Sequence, residues 1–501
     1  MTSIPHETAP PPQEPAEHSI TTKALKGVPW TLAAFSLSRG FQLIGTLVIA
    51  RLVPPREIGV VLTGLVVVNA LNLLSDNGLS ISLVMRERVD RRLADTVFTL
   101  MLGIAAACVV AAWAFAGPIS NAFGSPKLSD VLPILALTVI TSTITWYFTN
   151  MLQREMLWRQ RFAGQFALAF GYVSVAVPCA ALGAGVWSLV AGQLAAGILA
   201  SLVLWRAYPH PVRIGIHRRE AGIALRESRP YVSQAATAFL SENLHFIAVS
   251  AILGPRAMAL YSMSYRLSEL PNQALSERVA EATVPAYVRM REDPKRAAGT
   301  LMIAIRYLLL ASLLPLAVLA AVAPDFVEAV LGPRWMKMDP ILTTLCVWGA
   351  ICILTGSLGW FLNANRGARF MAKVNLFRLC VSMPMIFVAA AVFHSLEVVA
   401  ILLCVDITIE LVPLAFFAHT RLQVPFRTLI SAVRLPALAA AVAVGCTLGT
   451  RLGLDQTDIA VWPRLILSSA AGVAGYAACA LLVDRHAITE LRELVSRAIA
   501  R

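Results

Sequence analysis

The feature that most constrains this chain is a succession of apolar stretches, each about 20 residues long, that follow one another from about residue 27 to residue 483. A helix needs about that length to cross the hydrocarbon of a bilayer, so the pattern predicts a polytopic membrane protein. Hydrophobic residues make up 57% of the chain and charged residues 14%, against roughly 25% charged in an average soluble domain. The period-two alternation of a membrane β-barrel is absent. The reading is therefore an all-α fold with about fourteen transmembrane helices.

The net charge of +13 would suggest nucleic acid in a soluble protein. Here the basic residues gather in short loops, and alternate loops share them unequally. With the N-terminus inside, the cytoplasmic segments hold 29 Lys and Arg and the opposite set 7. That asymmetry supports an even number of spans with both termini cytoplasmic, and accounts for the positive charge by membrane orientation, with no nucleic-acid partner expected. Residues 1–22 are proline-rich and too polar for the core of a secretory signal, and read as a disordered cytoplasmic tail. Residues 484–501 are expected to form a basic amphipathic tail on the anionic inner leaflet. All eight cysteines sit inside apolar segments without CxxC spacing, so neither a metal site nor a disulfide framework is expected. No cofactor is implied.

Shifting the chain by 200 residues lays LVPPREIGV (52–60) over ILGPRAMAL (252–260), matching Pro55 and Arg56 to Pro255 and Arg256. This echo suggests two six-helix halves related by pseudo-two-fold symmetry, at 23–206 and 230–420, with a cytoplasmic linker at 207–229 and two additional helices at 421–483. A further Gly-Pro-Arg at 332–334 is taken as a chance recurrence.

Charged groups in hydrocarbon cost several kcal/mol, so those retained usually face a bundle interior or a hydrated cavity. They concentrate in the first helix pair of each half. Arg39 and Gln42 lie on the first span, and Asn69, Asn72 and Asp76 stack on one face of the second. Glu242, Asn243 and His245 lie on the seventh, and Arg266 and Glu269 on the eighth. Two symmetry-related polar pairs facing each other would enclose a chamber of the alternating-access kind. The candidate cavity residues are Arg39, Asn72, Asp76, Asn243, Arg266 and Glu269. Candidates for ion coupling are Asp76, Glu242 and His245, the last because imidazole titrates near neutral pH. The competing readings are a structural Arg39–Asp76 ion pair, a local Arg266–Glu269 pair, and a buried, satisfied His245. Spans three to six carry almost no charge and read as lipid-facing support. Arg306, Arg378, Asp406 and Glu410 are further titratable groups in apolar surroundings, the last two spaced i, i+4.

Several segments resemble the polysaccharide-transporter family, the O-antigen and exopolysaccharide flippases of the multidrug/oligosaccharidyl-lipid/polysaccharide exporter superfamily. They are ARLVPPREIG (50–59), DNGL (76–79), LQRE (152–155), GAGVWSLVAG (183–192), YSMSYRLSELP (261–271) and APDFVEAVLGPRW (323–335). The resemblance implies a flippase, not an enzyme, that moves a polyprenyl-diphosphate-linked oligosaccharide from the inner to the outer leaflet, driven by an ion gradient. It implies membrane lipids as partners, and a polysaccharide polymerase with export machinery as further ones. Arg39 and Arg266 would contact the diphosphate. Where many members carry an aspartate on the seventh span this chain has His245, which leaves Glu242 or Asp76 as carboxylates for coupling.

A cation-coupled drug exporter of the same superfamily is the nearest alternative and would favour acidic cavity groups. A glycan polymerase or ligase would need a sizeable exterior loop with converging catalytic groups, and none is visible. No GxxxxGK[ST] loop occurs.

Overall fold

The computed structural model describes residues 38–76, 79, 83, 90–210, 212–422, 424–456 and 459–483. Both expected terminal tails lie outside the described residues. Among those described there are helices and turns but no strand. The reason is the solvent: in hydrocarbon every backbone N–H and C=O must find its partner inside the segment, and a helix does this locally.

In chain order the principal helices are α1 (38–52), α2 (Pro55–Asp76), α3 (Arg91–Ala122), α4 (Leu128–Arg154), α5 (Trp158–Ala181) and α6 (Val186–Ala207). There follow α7 (Arg218–Ala248), α8 (Gly254–Pro271), α9 (Glu277–Arg289), α10 (Pro294–Ala321) and α11 (Asp339–Ala364). The chain continues through α12 (Ala368–Phe393), α13 (Leu396–Leu422), α14 (Phe426–Asp455) and α15 (Val461–Val483).

Twelve helical runs among the described residues are long and apolar enough to cross a membrane, against the fourteen expected. The difference has two sources. The first span is described only from residue 38, and the seventh and eighth form one continuous run, Ala235–Ser276. That run doubles back. His245 and Tyr261 would stand about 24 Å apart along a straight helix, yet their ring centroids are 5.8 Å apart.

The reversal is made by a π turn over Val249–Leu253 and by Gly254, whose φ of 82° and ψ of 178° suit glycine alone. Pro255 then starts α8, where its missing N–H costs nothing. The same device recurs at the second Gly-Pro-Arg: a π turn over Val327–Leu331, Gly332 at φ 94° and ψ 174°, and Pro333 opening a 3-10 turn. The triplet at 332–334 is therefore a second copy of one local structure, and the expectation of chance recurrence is overturned.

The echoing segments 52–60 and 252–260 meet side by side. A Cβ on Gly59 would lie 1.6 Å from the Pro255 carbonyl oxygen, so α2 and α8 touch backbone to backbone there. Beside this contact, Thr63 Oγ1 of α2 and Ser250 Oγ of the π turn are 2.5 Å apart and both residues are buried.

The segment between α10 and α11 reinforces this end. Trp335, fully buried, donates its indole N–H to the Ala50 carbonyl at 2.8 Å. Arg51 donates to the Ala329 carbonyl at 2.5 Å and to Val330 at 3.2 Å. On the other flank buried Asp325 meets Arg451 of α14 at 3.0 Å and Arg464 of α15 at 2.6 Å. The last two helices pack on α10, with the Tyr476 hydroxyl donating to the Leu310 carbonyl at 2.8 Å.

Within the expected linker, residues 212–217 are extended and docked on the start of α3. The amides of Arg213, Gly215 and His217 donate to Asp95 Oδ1, Thr99 Oγ1 and Thr96 Oγ1 at 2.9, 3.0 and 3.2 Å. The side chains at one helix end thus stand in for a strand partner.

Candidate functional site

A cavity of about 370 Å³ lies between the two helix pairs, on the far side of the Gly59–Pro255 contact from the turns. Its walls follow from helical spacing. On α1 the lining residues are Arg39, Gln42, Leu43 and Thr46, and on α2 they are Leu62, Leu65, Val66 and Asn69. Both sets follow the i, i+3, i+4, i+7 pattern of a single helix face. From α7 come Asn243 and Phe246, and from α8 Met258, Ser262, Tyr265, Arg266 and Glu269 among others, with Gln273 just beyond Pro271.

Of the residues singled out in the sequence, the structure brings Arg39, Asn243, Arg266 and Glu269 to this one cavity. Asn72, Asp76, Glu242 and His245 are not on its wall. Asn72 lies one turn beyond Asn69, with its Oδ1 buried and without a hydrogen bond. Asp76 ends α2. Glu242 is exposed. His245 is 3% exposed inside an aromatic box of Phe246, Tyr261 and Tyr265, with ring centroids at 4.2, 5.8 and 5.3 Å. Neither ring nitrogen has a hydrogen-bond partner, so it is buried without being satisfied.

Charged groups on the cavity wall are two arginines and one glutamate, a net charge of +1. The rest of the polar lining is amide and hydroxyl. Arg39 and Gln42 also line a second cavity of about 280 Å³, formed with Ser38, Gln165, Tyr172 and Gln193. Helices α5 and α6 therefore do more than support the bundle against lipid. They turn Gln165, Tyr172 and Gln193 inward, uncharged residues that a search for charges passed over. Thr46 and Ser262 were missed for the same reason, although Thr46 could be found seven residues from Arg39.

Away from both cavities, Arg378 of α12 meets Asp406 and Glu410 of α13. The sequence showed Asp406 and Glu410 as an i, i+4 pair and did not connect Arg378 with them.

The fold is that of known lipid and drug transporters. A solved structure of the lipid II flippase MurJ in an inward closed conformation superposes with a TM-score of 0.74 at 14% identity, covering 92% of this chain and 99% of that one. An inward-facing multidrug resistance MATE family transporter of the MOP superfamily superposes at 0.60 and 14% identity, covering 76% and 94%. In sequence the chain is 22% identical over 395 residues to the lipopolysaccharide biosynthesis protein WzxC of Escherichia coli (strain K12), 78% of this chain and 80% of WzxC. It is 22% identical over 482 residues to the teichuronic acid biosynthesis protein TuaB of Bacillus subtilis (strain 168), 91% of this chain and 95% of TuaB. The family model described as polysaccharide biosynthesis protein matches residues 48–340, more than half of the sequence. With its helices, cavity and repeated turns accounted for, this multi-pass membrane protein belongs to the polysaccharide biosynthesis protein family.

Proposed function

We propose that this protein flips a polyprenyl-diphosphate-linked oligosaccharide from the inner to the outer leaflet of the bacterial cytoplasmic membrane, for surface or exported polysaccharide. The observation that carries this reading is the cavity between the helix pairs: two arginines against one glutamate, with amides and hydroxyls around them. A diphosphate cannot cross hydrocarbon unaided, and guanidinium groups recognise phosphate oxygens through paired, charge-assisted hydrogen bonds. Arg39 and Arg266 hold the diphosphate in this scheme. Gln42, Gln165 and Gln193 offer the donors and acceptors that sugar hydroxyls need.

Transport proceeds by alternating access. With the basic loops inside, the end closed by Gly59, Pro255 and Trp335 faces outward, and the substrate enters the cavity from the opposite side while its lipid tail stays in the bilayer. Names of family relatives that refer to polysaccharide biosynthesis support a glycan substrate over a drug, as does the positive cavity. A polymerase and export machinery would receive the flipped product, and coupling to an ion gradient would drive it.

The test is the leaflet distribution of polyprenyl-linked oligosaccharide in cells depleted of the protein. Accumulation on the cytoplasmic face is expected; an unchanged distribution would remove the flippase reading in favour of a small-molecule exporter.

A further inference from the structure

The cluster formed by Arg378, Asp406 and Glu410 lies deep in the membrane region. Arg378 is ten residues from the start of α12 and Asp406 ten from the start of α13. Each therefore sits about 15 Å along its helix, near the middle of a hydrocarbon layer about 30 Å thick. Asp406 is 1% exposed at its side chain, Glu410 12% and Arg378 15%.

Arg378 occupies most of what the carboxylates offer. Its Nε and one terminal nitrogen donate to the two Asp406 oxygens at 3.1 and 2.5 Å, and its other terminal nitrogen meets Glu410 Oε2. Two carboxylates and one guanidinium leave a net charge of −1, and an uncompensated charge at this depth is costly. Among the described residues no further fixed cation acts on the cluster. Cys404 on α13, Cys352 on α11, and Tyr261 and His245 on the doubled-back run are the titratable groups facing the cluster. The π turn Val249–Leu253 has none. The Tyr261 hydroxyl and both His245 nitrogens are buried and without hydrogen bonds.

Two neutralisers are conceivable, a metal cation or a proton. A hard cation takes about six oxygen ligands. Here three of the four carboxylate oxygens are already turned to Arg378, which leaves Glu410 Oε1. One oxygen suffices for a proton.

We infer that Glu410, held by Arg378 beside Asp406, binds and releases one proton during the transport cycle. Taking a proton on Oε1 converts the carboxylate to the neutral acid and brings the cluster from −1 to zero; release to water restores it. Tyr265 lines the central cavity and packs on His245, and Cys352 lies within the electrostatic reach of both cavity Glu269 and Glu410. The inference rests on the transport reading for its role in the cycle, but proton binding itself can be measured without any glycan.

The experiment is infrared difference spectroscopy, acid minus alkaline, on the full-length protein in liposomes, in buffer whose only cation is N-methylglucamine. A buried protonated carboxyl gives a carbonyl band above the surface carboxyls. The wild type is expected to show it, and both Glu410→Gln and Asp406→Asn are expected to lose it, because either brings the cluster to zero charge. Neither variant adds a buried charge, and a melting curve confirms that each is folded. Persistence of the band in both variants would overturn the inference, as would its disappearance when sodium is added at constant acid pH. Flipping of a fluorescent polyprenyl-diphosphate oligosaccharide is measured in the same liposomes. A wild type that shows the band but moves no lipid defeats the flippase reading and leaves the proton site standing.

Discussion

Trp335 donates its indole N–H to the carbonyl of Ala50, joining residues 285 positions apart at the sealed end of the cavity. Ala50 lies in the last turn of α1, and Trp335 in the 3-10 turn before α11. The bond therefore opposes any separation of the first helix pair from the later half. A net hydrogen bond contributes about 0.5–1.5 kcal/mol, and the buried carbonyl left behind adds to the loss. Trp335→Phe keeps the ring and removes the donor. It is expected to raise the population open at that end about 2- to 10-fold, read as faster alkylation of a cysteine introduced at Val53. Unchanged alkylation would show that the bond does not hold the gate.

Gly59 leaves no room for a side chain against Pro255. Because the obstacle is backbone, Gly59→Ala must push α2 away from α8, at a cost of about 3 kcal/mol. Loss of glycan export with normal membrane insertion is the expected phenotype. Gly103→Ala, at a position with open space around it, is the control and should export normally.

Removal of either cavity arginine tests the substrate contact. Arg39→Ala and Arg266→Ala each lose charge-assisted bonds of about 1.5–3 kcal/mol, or roughly a 10- to 100-fold weakening. Glycan export should fall accordingly while the protein still inserts. Normal export in both single variants would exclude the diphosphate clamp.

Asp325 is buried between Arg451 and Arg464. Asp325→Asn preserves its shape but leaves two guanidiniums facing each other, with Asp455 as the remaining carboxylate on Arg464. Since both arginines are about a fifth exposed, water screens part of the effect, and a destabilisation of about 2 kcal/mol is expected. It should appear as a lower melting temperature and as earlier protease cleavage between α13 and α14. Full resistance would mean that apolar packing alone fixes the last two helices.

The helices were legible because hydrocarbon permits so little else, and Arg39, Asn243, Arg266 and Glu269 were legible because a polar residue in lipid must have a reason to be there. What escaped depended on the chain returning to itself. His245 is boxed in by rings that lie 16 and 20 residues further on, across the reversal at Gly254. Its setting cannot be inferred from its own helix. Arg378 and the pair Asp406 and Glu410 sit on successive helices, and only the packing of α12 on α13 turns three isolated charges into one cluster. The Gly-Pro-Arg at 332–334 failed as a sequence argument because three residues carry little information, although the backbone angles at Gly254 and Gly332 are nearly the same.

The attachment of α14 and α15 has a practical side. They are pinned to Asp325 and to α10, and nothing described ties them to α1–α6 beyond that shared segment. A fluorophore, affinity tag or tethered enzyme placed after Val483 would consequently travel with the later half of the molecule. Paired with a second probe on the loop between α5 and α6, it would serve as a distance gauge for the alternating-access movement proposed above.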